Sequence, residues 1–139
     1  MAFKVLSLLS TVVVLFSMGV FMLTSPPLLV LKYDTPMDAR FVRGLFWWYY
    51  TVLAAGALAG VVSYALLGNY LFSAGMAVLA LGTLLVRRWM LRRMDAVRGE
   101  MTPGDKPRIK LFKKLHIGGM ALNVLFVACA VAFLQQLAI

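Results

Sequence analysis

The chain has 139 residues, 63% of them hydrophobic and only 14% charged. A soluble domain is about 45–50% apolar and about 25% charged, and one this small hides only about two-thirds of its unfolded surface, so a soluble monomer and a disordered chain are both excluded. The 14 basic residues against 5 acidic ones give a net charge of +9, which in so apolar a chain points to a charged membrane face and not to nucleic acid.

The first predicted element is the apolar run Val5–Leu23, continuing to Ser25. It is longer than the roughly 7–15 residues of a signal-peptide core and no Ala-x-Ala follows it, so it reads as an uncleaved spanning helix. Ser25-Pro26-Pro27 ends or sharply kinks that helix, because proline lacks an amide donor and clashes with the preceding turn. Leu28–Tyr33 reads as a short tilted continuation. Thr35-Pro36-Met37-Asp38 supplies an N-cap, a proline at the first helical position and an acidic third position. The helix it starts flows into the second span, Leu45–Leu67. Gly68-Asn69 makes a tight turn into the third span, Tyr70–Val86, extended by Arg87–Met90. A basic loop over about 91–116 follows, the one substantial loop of the chain, centred on Thr102-Pro103-Gly104-Asp105. Pro107 suits the first turn of a helix that carries Arg108–Lys114 into the fourth span, Ile117–Ile139.

Each run approaches the roughly 20 residues a membrane crossing needs, and all are too long and continuous for strands. Four spans cannot close a barrel, and only helices and closed barrels satisfy the backbone in lipid. The expectation is an all-α, integral membrane four-helix bundle. It forms one membrane domain, residues 1–139, with antiparallel up-down-up-down spans at about 5–25, 45–67, 70–90 and 117–139. Of the 14 basic residues, only Lys4 lies at the end that carries the N-terminus. The rest fall in the first loop (Lys32, Arg40, Arg43) and between Arg87 and Lys114. The positive-inside rule places that end in the cytoplasm and both termini outside, in the periplasm of a bacterial inner membrane. Trp47, Trp48, Tyr49, Tyr50 and Trp89 fall at the level of an interfacial aromatic belt.

Arg87, Arg88, Arg92 and Arg93 alternate with apolar residues at helical spacing, a pattern that can lie on a bilayer. Lys110, Lys113 and Lys114 form a second basic face. These seven residues either anchor the topology or contact anionic lipid headgroups or an acidic partner. His116, the only histidine, shares a helical face with Met120 and Asn123. The stripe is a candidate ligand or cofactor site, for haem or a quinone, with His116 and Asn123 as the only catalytic candidates. The competing readings are a histidine snorkelling to the interface and an asparagine bonding between helices. Ser10 and Ser17, Gly56 and Gly60, and Gly75 and Gly82 read as helix-packing seams. Cys129 reads as buried packing. No metal site is expected, since one cysteine and one histidine are joined by no carboxylate inside a span.

Two blocks carry a family resemblance. One is Pro27 with Arg43-Gly44-Leu45-Phe46; the other is Phe112, Leu115-His116 and Asn123. Together they resemble the small four-helix membrane proteins of a domain-of-unknown-function family shared by bacteria and eukaryotes. The layout is similar to that of anthrone-oxygenase-like membrane proteins. Ile117 stands where the family commonly has a basic residue. The resemblance implies a four-helix bundle and adds weight to His116 and Asn123.

There is no phosphate loop, nucleophile elbow or carboxylate pair, and no charged residue sits mid-span. The first expectation is therefore a non-enzymatic protein: an accessory or assembly subunit of a larger membrane complex, or a binder of lipid or a hydrophobic small molecule. The alternative is a small oxidoreductase or oxygenase acting on an aromatic or quinone-like substrate at His116 and Asn123. A third reading is a homo-oligomeric channel or exporter.

Overall fold

The computed structural model describes residues 1–30, 36–102 and 104–135. Four long helices account for nearly all of them: α1 (Ala2–Thr24), α2 (Pro36–Leu66), α3 (Tyr70–Gly99) and α4 (Lys106–Gln135). A short 3₁₀ turn, Pro26–Val30, follows α1. Each helix is long and apolar enough to cross a membrane. Thr35, read as an N-cap, lies outside the described residues, as do Lys32, Pro103 and the end of the fourth span, 136–139. The tilted segment expected over Leu28–Tyr33 is described only as far as Val30.

Serines do not break α1, because their hydroxyls fold back onto the chain. Ser10 Oγ donates to the Ser7 carbonyl at 2.8 Å, and Ser17 Oγ to the Val14 carbonyl at 2.8 Å. Both side chains can therefore be buried without an unmet donor. The helix stops where the two prolines begin. The turn between α2 and α3 forms as expected: Gly68 takes a left-handed φ of +74°, and the Asn69 side chain accepts from the Phe72 amide.

The basic segment 91–116, expected to be a loop, is mostly helical instead. Its first part continues α3 without a break to Gly99, and its last part is already α4. The connector is only residues 100–105. Gly104 turns left-handed there, at φ +77°, and the Asp105 carbonyl accepts the Ile109 amide at 3.0 Å, opening α4. Arg108 bridges Asp105 at 2.9 Å and Glu100 at 3.0 Å, which pins the two ends of the connector together.

The core is built around α2, whose inward face runs Ala39, Val42, Phe46, Tyr49, Leu53 and Ala57, all fully buried. Contacts climb α1 as they descend α2. Thr11 Oγ1 and the Tyr64 hydroxyl share a hydrogen bond at 2.8 Å, Val14 lies beside Gly56, and Phe21 stacks on Tyr49 with centroids 4.2 Å apart. On the α2–α3 side, Arg43 grips Asp95 with two bonds of 3.1 Å. The glycine pair Gly56 and Gly60 serves two neighbours and not one seam. A side chain at 56 would meet Val13 and Val14 of α1, and one at 60 would meet Met76 of α3.

Helix α4 is held differently. Its buried residues are Phe112, His116, Gly119 and Asn123, a single stripe at three- and four-residue spacing. Beyond Asn123 no described residue of α4 is fully buried. Meanwhile the outward faces of all four helices are apolar, with residues such as Leu8, Phe16, Val78, Leu85, Leu125 and Val131 largely exposed. A water-facing surface does not carry so many large apolar side chains side by side.

Candidate functional site

Two places hold the chemistry. The first is a buried polar cluster where the α4 stripe meets α1 and α2. His116 is wholly enclosed, and its Nε2 lies 2.7 Å from Ser25 Oγ. Which of the two donates depends on the imidazole tautomer. The edge of the Phe46 ring packs against the imidazole at 5.6 Å between centroids. About two helical turns further along α4, the Tyr49 hydroxyl donates to Asn123 Oδ1 at 2.5 Å, and Asn123 Nδ2 reaches the Met18 carbonyl at 3.4 Å. Four polar side chains from the end of α1, from α2 and from α4 thus satisfy one another in two pairs within an apolar interior, as unpaired groups there would be costly.

This corrects the picture of a snorkelling histidine. Ser25 stands at the proline stop of α1, which places its hydroxyl over His116 and gives the imidazole a partner inside the bundle. Asn123 is an inter-helix bond. Met120 does not join them; it is half-buried beside the stripe, packed against the hydrophobic core. Phe46 fills the space directly against Gly119, where any β-carbon would collide with its ring. His116 and Asn123 therefore point at protein groups and not into an open pocket. Among the described residues no three metal-ligating side chains come together.

Sequence reasoning missed Ser25 and Tyr49 as partners. Tyr49 and Tyr50 were read with Trp47 and Trp48 as an interfacial belt, yet both tyrosines are completely buried while both tryptophans are exposed. The signal was available. Four consecutive helical residues spread over most of a turn, so they cannot all face lipid.

The second place is an apolar cavity of about 450 Å³ at the other end of the bundle. It lies between α3 and the part of α4 beyond Asn123, with α1 and the end of α2 as its floor. Thr11, Tyr64, Phe72, Gly75, Gly82 and Phe133 mark its extent, and it is open on one side. Among the described residues the only hydroxyls in its wall, on Thr11 and Tyr64, bond each other. Cys129 is exposed on its rim, not buried packing as expected, because at that level α4 borders the cavity and not a closed helix seam. Gly75 and Gly82 part company. A β-carbon on Gly75 would strike the Phe133 ring, whereas one on Gly82 would meet nothing within 4 Å.

The seven basic residues also separate. Arg87 is engaged inside the protein, its Nε 3.3 Å from Thr51 Oγ1 and its guanidinium 6.0 Å from the Trp47 ring centre. Arg88, Arg92 and Arg93 surround an open cleft of about 320 Å³ with Trp89 and Leu85. Lys110 and Lys114 are exposed on α4, and Lys113 is half-buried.

Compared with known proteins, the chain matches no family model, no curated protein and no solved structure. What the molecule does must be read from these two places.

Proposed function

We propose that this chain is a multi-pass protein of the bacterial inner membrane that binds an apolar or amphipathic membrane molecule between α3 and α4, without catalysing a reaction. The observation that carries the reading is the cavity. Its volume lies within the about 300–1,000 Å³ of small-molecule sites. Water is a poor filler, since a water needs two to four polar partners and the wall's two hydroxyls already hold each other. A hydrocarbon chain or ring system satisfies the wall.

The His116–Asn123 cluster, in this reading, is a fastener. It holds α4 to the bundle at one end, and the Phe72–Phe133 ring pair, with centroids 4.7 Å apart, holds it at the other. The spans alternate up-down-up-down with the basic end in the cytoplasm, supported by the single lysine at the opposite end against all remaining basic residues.

The test is to fill the cavity. A Gly82→Leu side chain enters empty space, and leucine also suits a helix better than glycine. Wild-type protein extracted gently should carry an apolar molecule detectable by native mass spectrometry, and the variant should fold and carry several-fold less. Equal retention by both would sink the reading. A reporter fused after Ile139 should report the periplasm; cytoplasmic signal there would reverse the orientation.

A further inference from the structure

We infer that the cavity and the arginine cleft form one site for a single anionic lipid, its phosphate held by Arg88, Arg92 and Arg93 and its chain running along α3 into the cavity. The inference rests on the cavity reading and names the class of its ligand.

The two features lie on one face of one helix. At 100° per residue, Gly75, Val78, Gly82, Leu85, Trp89 and Arg92 fall within a sector about 100° wide. Arg93 lies inside that sector and Arg88 borders it. The first three line the cavity, and Leu85, Trp89 and the arginines line the cleft. Between them the face is apolar and open, with Val78 and Leu85 mostly exposed.

The charges are arranged for an external anion. Arg43 and Arg98 share Asp95, and Arg108 takes Glu100 and Asp105. Arg87 leans on Trp47 and Thr51. Arg88, Arg92 and Arg93 make no ion pair with any described residue. Three guanidiniums around a cleft match a phosphate group, which takes paired N–H donors from arginine. Trp89 adds the ring that prefers headgroup level.

The lengths agree as well. From Arg92 to Gly82 is ten residues, about 15 Å of helix. Half of a bilayer's hydrocarbon core is also about 15 Å, and the phosphate sits about 5 Å outside it in the headgroup layer. A lipid whose phosphate sits in the cleft therefore has a chain that passes Gly82, the near edge of the cavity, and ends inside it.

The test uses full-length protein in detergent, native mass spectrometry, and two probes with the same oleoyl chains: phosphatidylglycerol, and diolein, which lacks the phosphate. Wild type should retain phosphatidylglycerol at least tenfold better than diolein. The triple variant R88A/R92A/R93A changes only exposed side chains and should bring phosphatidylglycerol down to the diolein level. Gly82→Leu should weaken both probes, and millimolar inorganic phosphate should displace neither. If the arginine variant keeps the preference, the headgroup binds elsewhere and the composite site is wrong. If Gly82→Leu weakens diolein but leaves phosphatidylglycerol unchanged, the chain does not enter the cavity and the composite site is again wrong. If the two probes bind equally and both respond to Gly82→Leu, the composite site falls while the cavity reading stands. If neither probe responds to Gly82→Leu, both fall. Displacement by inorganic phosphate alone would make the cleft a phosphate site and overturn the lipid assignment.

Discussion

Phe46 of α2 lies against the bare backbone of Gly119 in α4, in the space that a side chain at 119 would occupy. The contact brings the two helices close enough for Tyr49 to reach Asn123, beside the point where Ser25, at the end of α1, meets His116. Even the smallest substitution there should be felt. Gly119→Ala must push Phe46 or α4 away, at a cost of about 1–3 kcal/mol, typical of overpacked cores. Thermal unfolding in detergent should show the loss. Phe46→Leu in the same chain should recover part of it, and no recovery would mean the ring is not what position 119 answers to.

The two adjacent tyrosines should behave oppositely. Tyr49→Phe removes the hydroxyl that Asn123 accepts and should destabilise by about 0.6–1.7 kcal/mol, the range for inter-helix bonds in membranes. Paired with Asn123→Leu in a double-mutant cycle, it should show coupling of that order. The Tyr50 hydroxyl is buried with no hydrogen-bond partner among the described residues. Tyr50→Phe should therefore cost nothing or stabilise, since it removes an unsatisfied polar group. Equal losses at both positions would contradict the assigned bond.

Glycines at 75 and 82 provide a second contrast. Gly82→Ala places a methyl group in open space and should stabilise α3 by about 0.4–1 kcal/mol by restricting the unfolded chain. Gly75→Ala meets Phe133 and should lose that gain or reverse its sign. Unfolding midpoints of the two variants, measured side by side, decide it.

Acid should loosen the start of α4. Partial burial tends to raise the Asp105 pKa, but bonds from the Arg108 side chain and amide, with its positive charge, more than reverse this and hold it below the usual carboxylate value. A carboxyl whose folded pKa is depressed contributes stability that is complete above its unfolded pKa, near 4, and is lost as pH falls through the lower folded value. Wild type should therefore exceed Asp105→Asn in stability at pH 6, with the gap closing towards pH 3. A gap that stays constant over this range would rule the mechanism out.

Much of the fold was legible because membranes permit so little. Long apolar runs must be helices, the double proline after Ser25 must stop one, and Gly68-Asn69 must turn. The extent of α3 was less legible. Arginines at 87–93 look like the end of a span, but a helix continues through the interface when its apolar side, here Met90, Leu91, Met94 and Val97, still has a core to cover. At the candidate site, the sequence singled out His116 and Asn123 but not their partners, which come from positions 91 and 74 residues away. Tyr49 was hidden by its company, since Trp-Trp-Tyr-Tyr reads as a belt until the helix is turned. The cavity had no sequence signature. Small and large apolar residues at positions 75, 82 and 133 look the same whether they close a seam or leave a gap.

The burial stripe of α4 ends at Asn123, and the helix runs on for twelve residues to Gln135. That length is about 18 Å, and it is tied down near its far end, where the Phe133 ring packs on Phe72 with centroids 4.7 Å apart. The gap between α3 and α4 is therefore a window framed at both ends, by hydrogen-bonded polar pairs on one side and by two aromatic rings on the other, so that its width answers to two clasps of opposite chemistry.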